Sequence, residues 1–200
     1  MSSKLSKAFY TRSDVTLIAR ELLGKVLCTT IGGTLTSGII VETEAYSQRE
    51  RASHAYGGRR TARTETFYND GGISYVYLCY GIHHLFNAIT NFSDTADAVL
   101  IRAIEPLDGV EEMLARRGMD KMAYRIAAGP GSVSKTLGID KTHNALDLSR
   151  EPIWIEDRNI KYKKSQIIAS PRVGVDYAGE DAALPWRYRV KDNPWTSKAK

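Results

Sequence analysis

The segment Ile40-Val41-Glu42-Thr43-Glu44-Ala45-Tyr46 carries two carboxylates and a phenol at alternate positions. Alternate side chains of a β-strand share a face. Ile40, Glu42, Glu44 and Tyr46 therefore project together, and Ile39, Val41, Thr43 and Ala45 form the side that must meet a core. A carboxylate at a strand end can act as a general base on water. The same face can equally be an exposed acidic surface paired with arginines. Arg102 is embedded in the apolar run Val99-Leu100-Ile101-Arg102-Ala103-Ile104, and an arginine in such a run is rarely left unpaired. Glu44 is its candidate partner, with a purely structural ion pair as the other reading.

From Ser47 to Thr66 there are five arginines (Arg49, Arg51, Arg59, Arg60 and Arg63) and two acids, Glu50 and Glu65. Guanidinium forks suit phosphate oxygens, which makes Arg59 and Arg63 candidate contacts to a nucleic-acid backbone. A solvated basic surface has the same composition. On residues 73–80, Tyr75 and Tyr77 face one way, and Tyr80 opposes them just before Gly81. Aromatics beside a basic loop suit stacking on extruded bases; an aromatic-rich core sheet would look alike. His54 lies in the basic loop. His83 and His84 adjoin the proposed tip, where His83 can reach a phosphate.

These residues need elements to hold them. Asp14 can cap a helix whose apolar stripe is Val15, Ile18, Ala19, Leu22 and Leu23, stopped by Gly24. Strands are expected at 25–31 and 34–46 around a Gly32-Gly33 turn, at 73–80 and 82–90 as a hairpin, at 99–104, at 153–155 and at 186–190. Residues 47–72 form a long polar loop. Asp108 and Glu111 have capping-box spacing for a short helix closed by Gly118, and a second short helix is expected at 132–137. Strands with scattered helices, lacking regular βαβ alternation, indicate an α+β fold.

The 200 residues suffice for one domain: residues 1–8 read as a flexible tail and 9–200 as the domain. No apolar run approaches a membrane span, and the polar start lacks a signal-peptide core, so an intracellular, non-secreted protein is expected. The net charge is +5. Cys28 and Cys79, the only cysteines, form no Cys-x-x-Cys pair, so no metal site and no cofactor are expected.

Taken in order, the motifs Glu-Thr-Glu-Ala-Tyr (42–46), Arg-Ala-Ser-His-Ala (51–55), Gly-Gly-Arg-Arg-Thr (57–61), Tyr-Val-Tyr-Leu-Cys-Tyr-Gly (75–81), Leu-Ile-Arg-Ala-Ile-Glu-Pro (100–106), Gly-Pro-Gly-Ser (129–132), Arg-Val-Gly-Val (172–175) and Asn-Pro-Trp (193–195) resemble the alkyladenine DNA glycosylases. These are also called methylpurine or 3-methyladenine DNA glycosylases. The resemblance runs from about Phe9 to Trp195. It implies a single domain with a curved, mostly antiparallel sheet, surrounding helices and a protruding hairpin. It further implies that Glu44 activates water, which Arg102 and the backbone of Val173 help to hold. Tyr46, His54 and Tyr77 would wall a pocket for a flipped base, Tyr80 would fill the vacated stack, and Asn87 would crowd the exocyclic amino group of guanine. The implied partner is double-stranded DNA containing damaged purines, bound by a monomer without a membrane.

Two other classes share part of this pattern. A non-enzymatic nucleic-acid-binding module would use the basic loop and tyrosines without needing Glu44 and Arg102. A zinc nucleobase deaminase requires His-x-Glu and Pro-Cys-x-x-Cys, and the chain has neither.

Overall fold

Ten strands pair into a single antiparallel sheet, and the longest of them organises the rest. The computed structural model describes residues 3–198. The strands are β1 (Ser3–Lys4), β2 (Val26–Thr29), β3 (Thr36–Ser47), β4 (Ser74–Cys79), β5 (His83–Thr90), β6 (Asp97–Pro106), β7 (Ser149–Arg150), β8 (Ile153–Asp157), β9 (Ile167–Ser170) and β10 (Arg187–Val190). The main path is β1-β8-β2-β3-β6-β5-β4. β3 runs along β6 on one edge. Its other edge is divided, with β2 on its first half and β10 opposite Glu42, Thr43 and Glu44. The architecture is the expected α+β type, a curled antiparallel sheet with helices on it and a projecting β4–β5 hairpin.

Helix α1 (Lys7–Tyr10) is a single turn. Helix α2 (Val15–Glu21) starts where Asp14 accepts from the amides of Thr16 and Leu17, as its capping position dictates. Ile18, Ala19 and Leu22 pack with Val41, Ala45, Ile101 and Ala103 in the main core. Helix α3 (Val110–Arg117) ends at Gly118, which takes the left-handed conformation with φ +60°. Helix α4 (Pro130–Leu137) sets Val133 and Leu137 against Phe86 in the same core. One sheet face is therefore apolar and helix-covered. The other carries Glu42, Glu44 and Tyr46 of β3, with Arg102, Asn87, Tyr75 and Tyr77 from the neighbouring strands.

Several expectations change. Ser3 and Lys4 pair with Asp157 and Glu156, and Leu5 is buried, so residues 3–5 are docked where a flexible tail over 1–8 is expected. Met1 and Ser2 lie outside the described residues. Ile40 joins the core with Val41 and Ala45 instead of sharing the carboxylate face. The cause is a bulge: Val41 is skipped in the register between Ile40↔Ile104 and Glu42↔Ala103, which interrupts the two-residue alternation. Asp108 does not cap α3, because its carboxylate is taken by the Ser37 hydroxyl at 2.6 Å and by Arg158 at 2.8 Å; Gly109 takes that place. Helix α4 begins two residues early, with Pro130 at its first position, where a missing N–H costs nothing. Strand β9 was not expected. The long loop is packed through two 3₁₀ turns, Tyr56–Gly58 and Glu65–Tyr68, and buries Ala55, Phe67 and Tyr68.

Candidate active site

The polar face of the sheet forms the floor of a cleft of about 670 Å³. The β4–β5 hairpin supplies one wall. Cross-strand pairing Tyr75↔Asn87 and Tyr77↔Leu85 puts these four side chains on one face. The basic loop adds His54 and Arg63 to the same wall, against Tyr77, and Gly129–Ser132 and the 173–177 segment also line the cleft.

Glu42 and Glu44 are both fully buried, not exposed acids. Glu44 lies just behind the cleft surface, where three groups that line the cleft donate to it. The Val173 amide reaches Oε1 at 2.8 Å; the Tyr46 hydroxyl and Arg102 Nη1 reach Oε2 at 2.8 and 3.3 Å. A carboxylate offers about four acceptor positions, so one is left. Glu42 accepts four hydrogen bonds, three of them on one oxygen: Oε1 accepts from Arg102 Nε, Arg187 Nε and the Ser197 hydroxyl, and Oε2 from the Ser197 amide. Burial pushes the Glu42 carboxyl up, but the Arg102 and Arg187 guanidiniums and the Ser197 hydrogen bonds outweigh it and hold it below the usual range. Burial foremost, then Glu44, raises the Tyr46 phenol well above its ordinary value, so Tyr46 stays a donor. Arg102 thus has the expected partner in Glu44 and a closer one in Glu42, at 2.9 Å.

Tyr46, His54, Tyr75 and Tyr77 all line the cleft. The His54 and Tyr77 rings lie 4.7 Å apart edge to face, and Tyr75 stacks on Tyr77 at 5.4 Å. Tyr46 stands across the cleft with Arg172 over its ring. His54 Nδ1 bonds the Tyr75 hydroxyl at 3.2 Å. Burial, and secondarily Arg63, depresses the His54 imidazole to about 4, leaving it neutral near pH 7. Asn87 is buried on the cleft floor, and its Nδ2 donates to the Tyr75 carbonyl at 3.1 Å. That commitment leaves its Oδ1 as the polar atom available to a ligand.

The hairpin turn is Cys79-Tyr80-Gly81-Ile82, with φ +50° at Tyr80 and +73° at Gly81. Positive values at both central residues define the type I′ geometry that matches strand twist. Tyr80 is 88% exposed at its tip. His83 is on the cleft rim, and Arg59 and Arg63 are exposed. Arg60, in contrast, is tied to Glu65 and Asp94 at 2.6 and 2.8 Å.

The sequence reading gave no role to Arg187, Ser197, or the Glu50–Arg172 pair. Arg172 is wholly buried and bonds both oxygens of Glu50 at 2.8 Å, clasping the segment that presents Val173 to the loop that presents His54. An acid inside a basic loop and an arginine inside Arg-Val-Gly-Val were the available signals. Among the described residues no cluster of three or more His, Cys, Asp or Glu could hold a metal ion. None of the described helices is long and apolar enough to cross a membrane.

Comparison with known proteins matches residues 8–194 to the family model described as methylpurine-DNA glycosylase. A protein of Clostridium perfringens strain 13, provisionally named a 3-methyladenine DNA glycosylase, is 45% identical over 98% of this chain and 99% of its own. Relatives with the same provisional name from Clostridium tetani and Chlamydia abortus are 42% and 43% identical, over 98% and 92% of this chain and 99% and 96% of their own.

Proposed function

The chain belongs to the methylpurine-DNA glycosylase family, and from that premise we propose that it rotates a damaged purine out of duplex DNA into the cleft, where Glu44 activates the water that cleaves the N-glycosidic bond. It is a DNA glycosylase of base-excision repair, a hydrolase of N-glycosyl bonds. The observation that carries the mechanistic reading is the convergence of Tyr46, Arg102 and the Val173 amide on Glu44 directly behind an aromatic-walled cleft.

A glycosidic bond in a stacked duplex is out of reach, so the nucleotide has to leave the helix. Extrusion costs a few kcal/mol, least for damaged or mismatched bases. Stacking returns about 1–3 kcal/mol per base. A cationic alkylated purine gains about 0.5–2 kcal/mol more over a tyrosine face, and a neutral His54 adds no repulsion. Normal bases lack the cationic gain. Tyr80 enters the vacated stack, while Arg59, Arg63 and His83 hold backbone phosphates.

Cleavage proceeds through an oxocarbenium-like sugar. A cationic purine departs neutral and needs no acid, so the residues have only to supply an oriented, activated water. That water takes the free acceptor position of Glu44 and inserts against the Val173 amide, with Arg102 as a second donor. Glu44 is covered in the free protein, so the water has to displace one of the groups that now bond it. Until it takes the proton of the attacking water, Glu44 is negative beside the sugar and also stabilises the developing positive charge. Among the described residues no lysine lines the cleft; the reading is hydrolysis without strand cleavage, leaving free base and an abasic site.

The test is chromatography of bases released from methylated, deaminated and etheno-adducted duplexes. Release of free damaged purine with the backbone intact is expected. Tight binding with no base released from any of them would leave a binding module and refute the enzyme reading.

A further inference from the structure

We propose that Glu42 is a positioning residue for this reaction, aiming Arg102 at Glu44 through a buried ion cluster that Arg187 and Ser197 complete. The inference rests on the reading of Glu44 as the base.

Glu42, Arg102 and Arg187 are at most 7% exposed, and Glu42 accepts four hydrogen bonds, three of them crowded on Oε1. Arg102 is gripped at three nitrogens: Nε by Glu42, Nη1 by Glu44 and Nη2 by the Ser197 hydroxyl at 3.3 Å. A planar guanidinium fixed at three points cannot rotate, so the direction of Nη1 toward Glu44 is set. The two carboxylates and two guanidiniums sum to zero charge. Without Arg187, Glu42 would compete for all of Arg102; without Glu42, Arg102 would be free to swing fully onto Glu44 and occupy the acceptor position the water needs.

The cluster recruits the far end of the chain. Strand β10 pairs Arg187 opposite Glu44 and Arg189 opposite Glu42. Past it, Asn193 Oδ1 accepts from the Trp195 amide, Asn193 Nδ2 holds Glu105 at 3.1 Å, and Trp195 packs on the main core. This Asn-Pro-Trp turn delivers Ser197 to Glu42. Replacing buried ion clusters by apolar residues is often neutral or stabilising, so fold stability alone gives little reason to keep this one beside the base.

Glu42→Gln should lower the single-turnover excision rate on a methylated duplex about 10- to 100-fold, the scale of a misplaced reacting group, while the dissociation constant for that duplex stays unchanged. Ser197→Ala removes a donor to Glu42 and an acceptor shared by Arg102 and Arg187 while the Ser197 amide still holds Glu42, and should lose about 3- to 10-fold, the scale of a net hydrogen-bond contribution. It decides the matter if Glu42→Gln does not fold. Adding either substitution to Glu44→Gln should not reduce the residual rate further, because both act through Glu44. A folded Glu42→Gln protein with the wild-type rate, a loss confined to DNA binding, or an additional loss in the Glu44→Gln background would each overturn the proposal. If Glu44→Gln alone keeps the wild-type rate, the general-base reading falls and takes this inference with it. If Glu44→Gln is impaired and Glu42→Gln is not, only the inference falls.

Discussion

Two carboxylates two residues apart have opposite fates because their neighbours differ. Glu42 is held by two guanidiniums and Ser197 away from the cleft, whereas the donors to Glu44 are groups that line the cleft. The spacing of Glu42, Glu44 and Tyr46 was legible in the sequence, and so was the Arg102–Glu44 pair. The division of labour was not, since it depends on Arg187 and Ser197, which lie 145 and 155 residues from Glu42. His54 yields a prediction at this scale. Its folded value is about 4 against 6.5 for an unperturbed imidazole, so between those values the unfolded chain binds a proton that the folded chain refuses. Stability should therefore rise with pH from about 4 to 6.5 and gain nothing further from this group above that range. An NMR titration of the ring should place its midpoint near 4; a midpoint at or above 6.5 would mean a cationic His54 in the pocket. Asn87 bears on selectivity. Its Nδ2 is tied to the Tyr75 carbonyl on the cleft floor, and the proposed role is to crowd the exocyclic amino group of guanine. Asn87→Ser should raise release of guanine relative to hypoxanthine under single-turnover conditions. An unmoved ratio in a folded, active variant would make Asn87 structural.

The elements that hold these side chains were partly visible as patterns. Alternation correctly put Tyr75 with Tyr77 and Glu42 with Glu44, and Gly81 marked the turn. Alternation failed at Ile40, where an inserted residue in the pairing cannot be seen without the partner strand. Strand β9 escaped because its residues are only partly buried and lack a strong period. The hairpin invites a direct test: Tyr80 is held out at its tip by backbone pairing and makes no packing contact that would cost stability. Tyr80→Ala should leave the thermal melting point unchanged and lower the flipping signal of 2-aminopurine placed beside the lesion. An unaltered signal would exclude a wedge. The clasp between the 171–175 segment and the basic loop should behave differently. Arg172→Met leaves Glu50 buried without its partner, an imbalance of about 3–5 kcal/mol for such pairs, and urea unfolding should register a loss of that order. A change of a few tenths would show that the pair is solvated.

For the molecule as a whole, a net charge of +5 is modest, and the proposed grip on DNA rests on its distribution. Each phosphate neutralised contributes about −0.9 to the slope of log affinity against log salt. Five loop arginines suggested a steep dependence, but Arg60 is spent on Glu65 and Asp94. Affinity for lesion duplexes should still fall markedly with salt, and Arg60→Gln should leave the slope almost unchanged, whereas Arg63→Gln should make it shallower. Class and motif order were legible because local periods and short motifs suffice for them. The cleft was not, because it is built from pairings between distant segments. The claim on which everything else depends is that Glu44 supplies chemistry and not binding. Its measurement is single-turnover excision from a methylated duplex by Glu44→Gln, alongside the affinity of the same protein for that duplex. The account predicts intact binding with a rate lowered about 10²- to 10⁴-fold, as for loss of a general base; near-normal excision by this variant would contradict it.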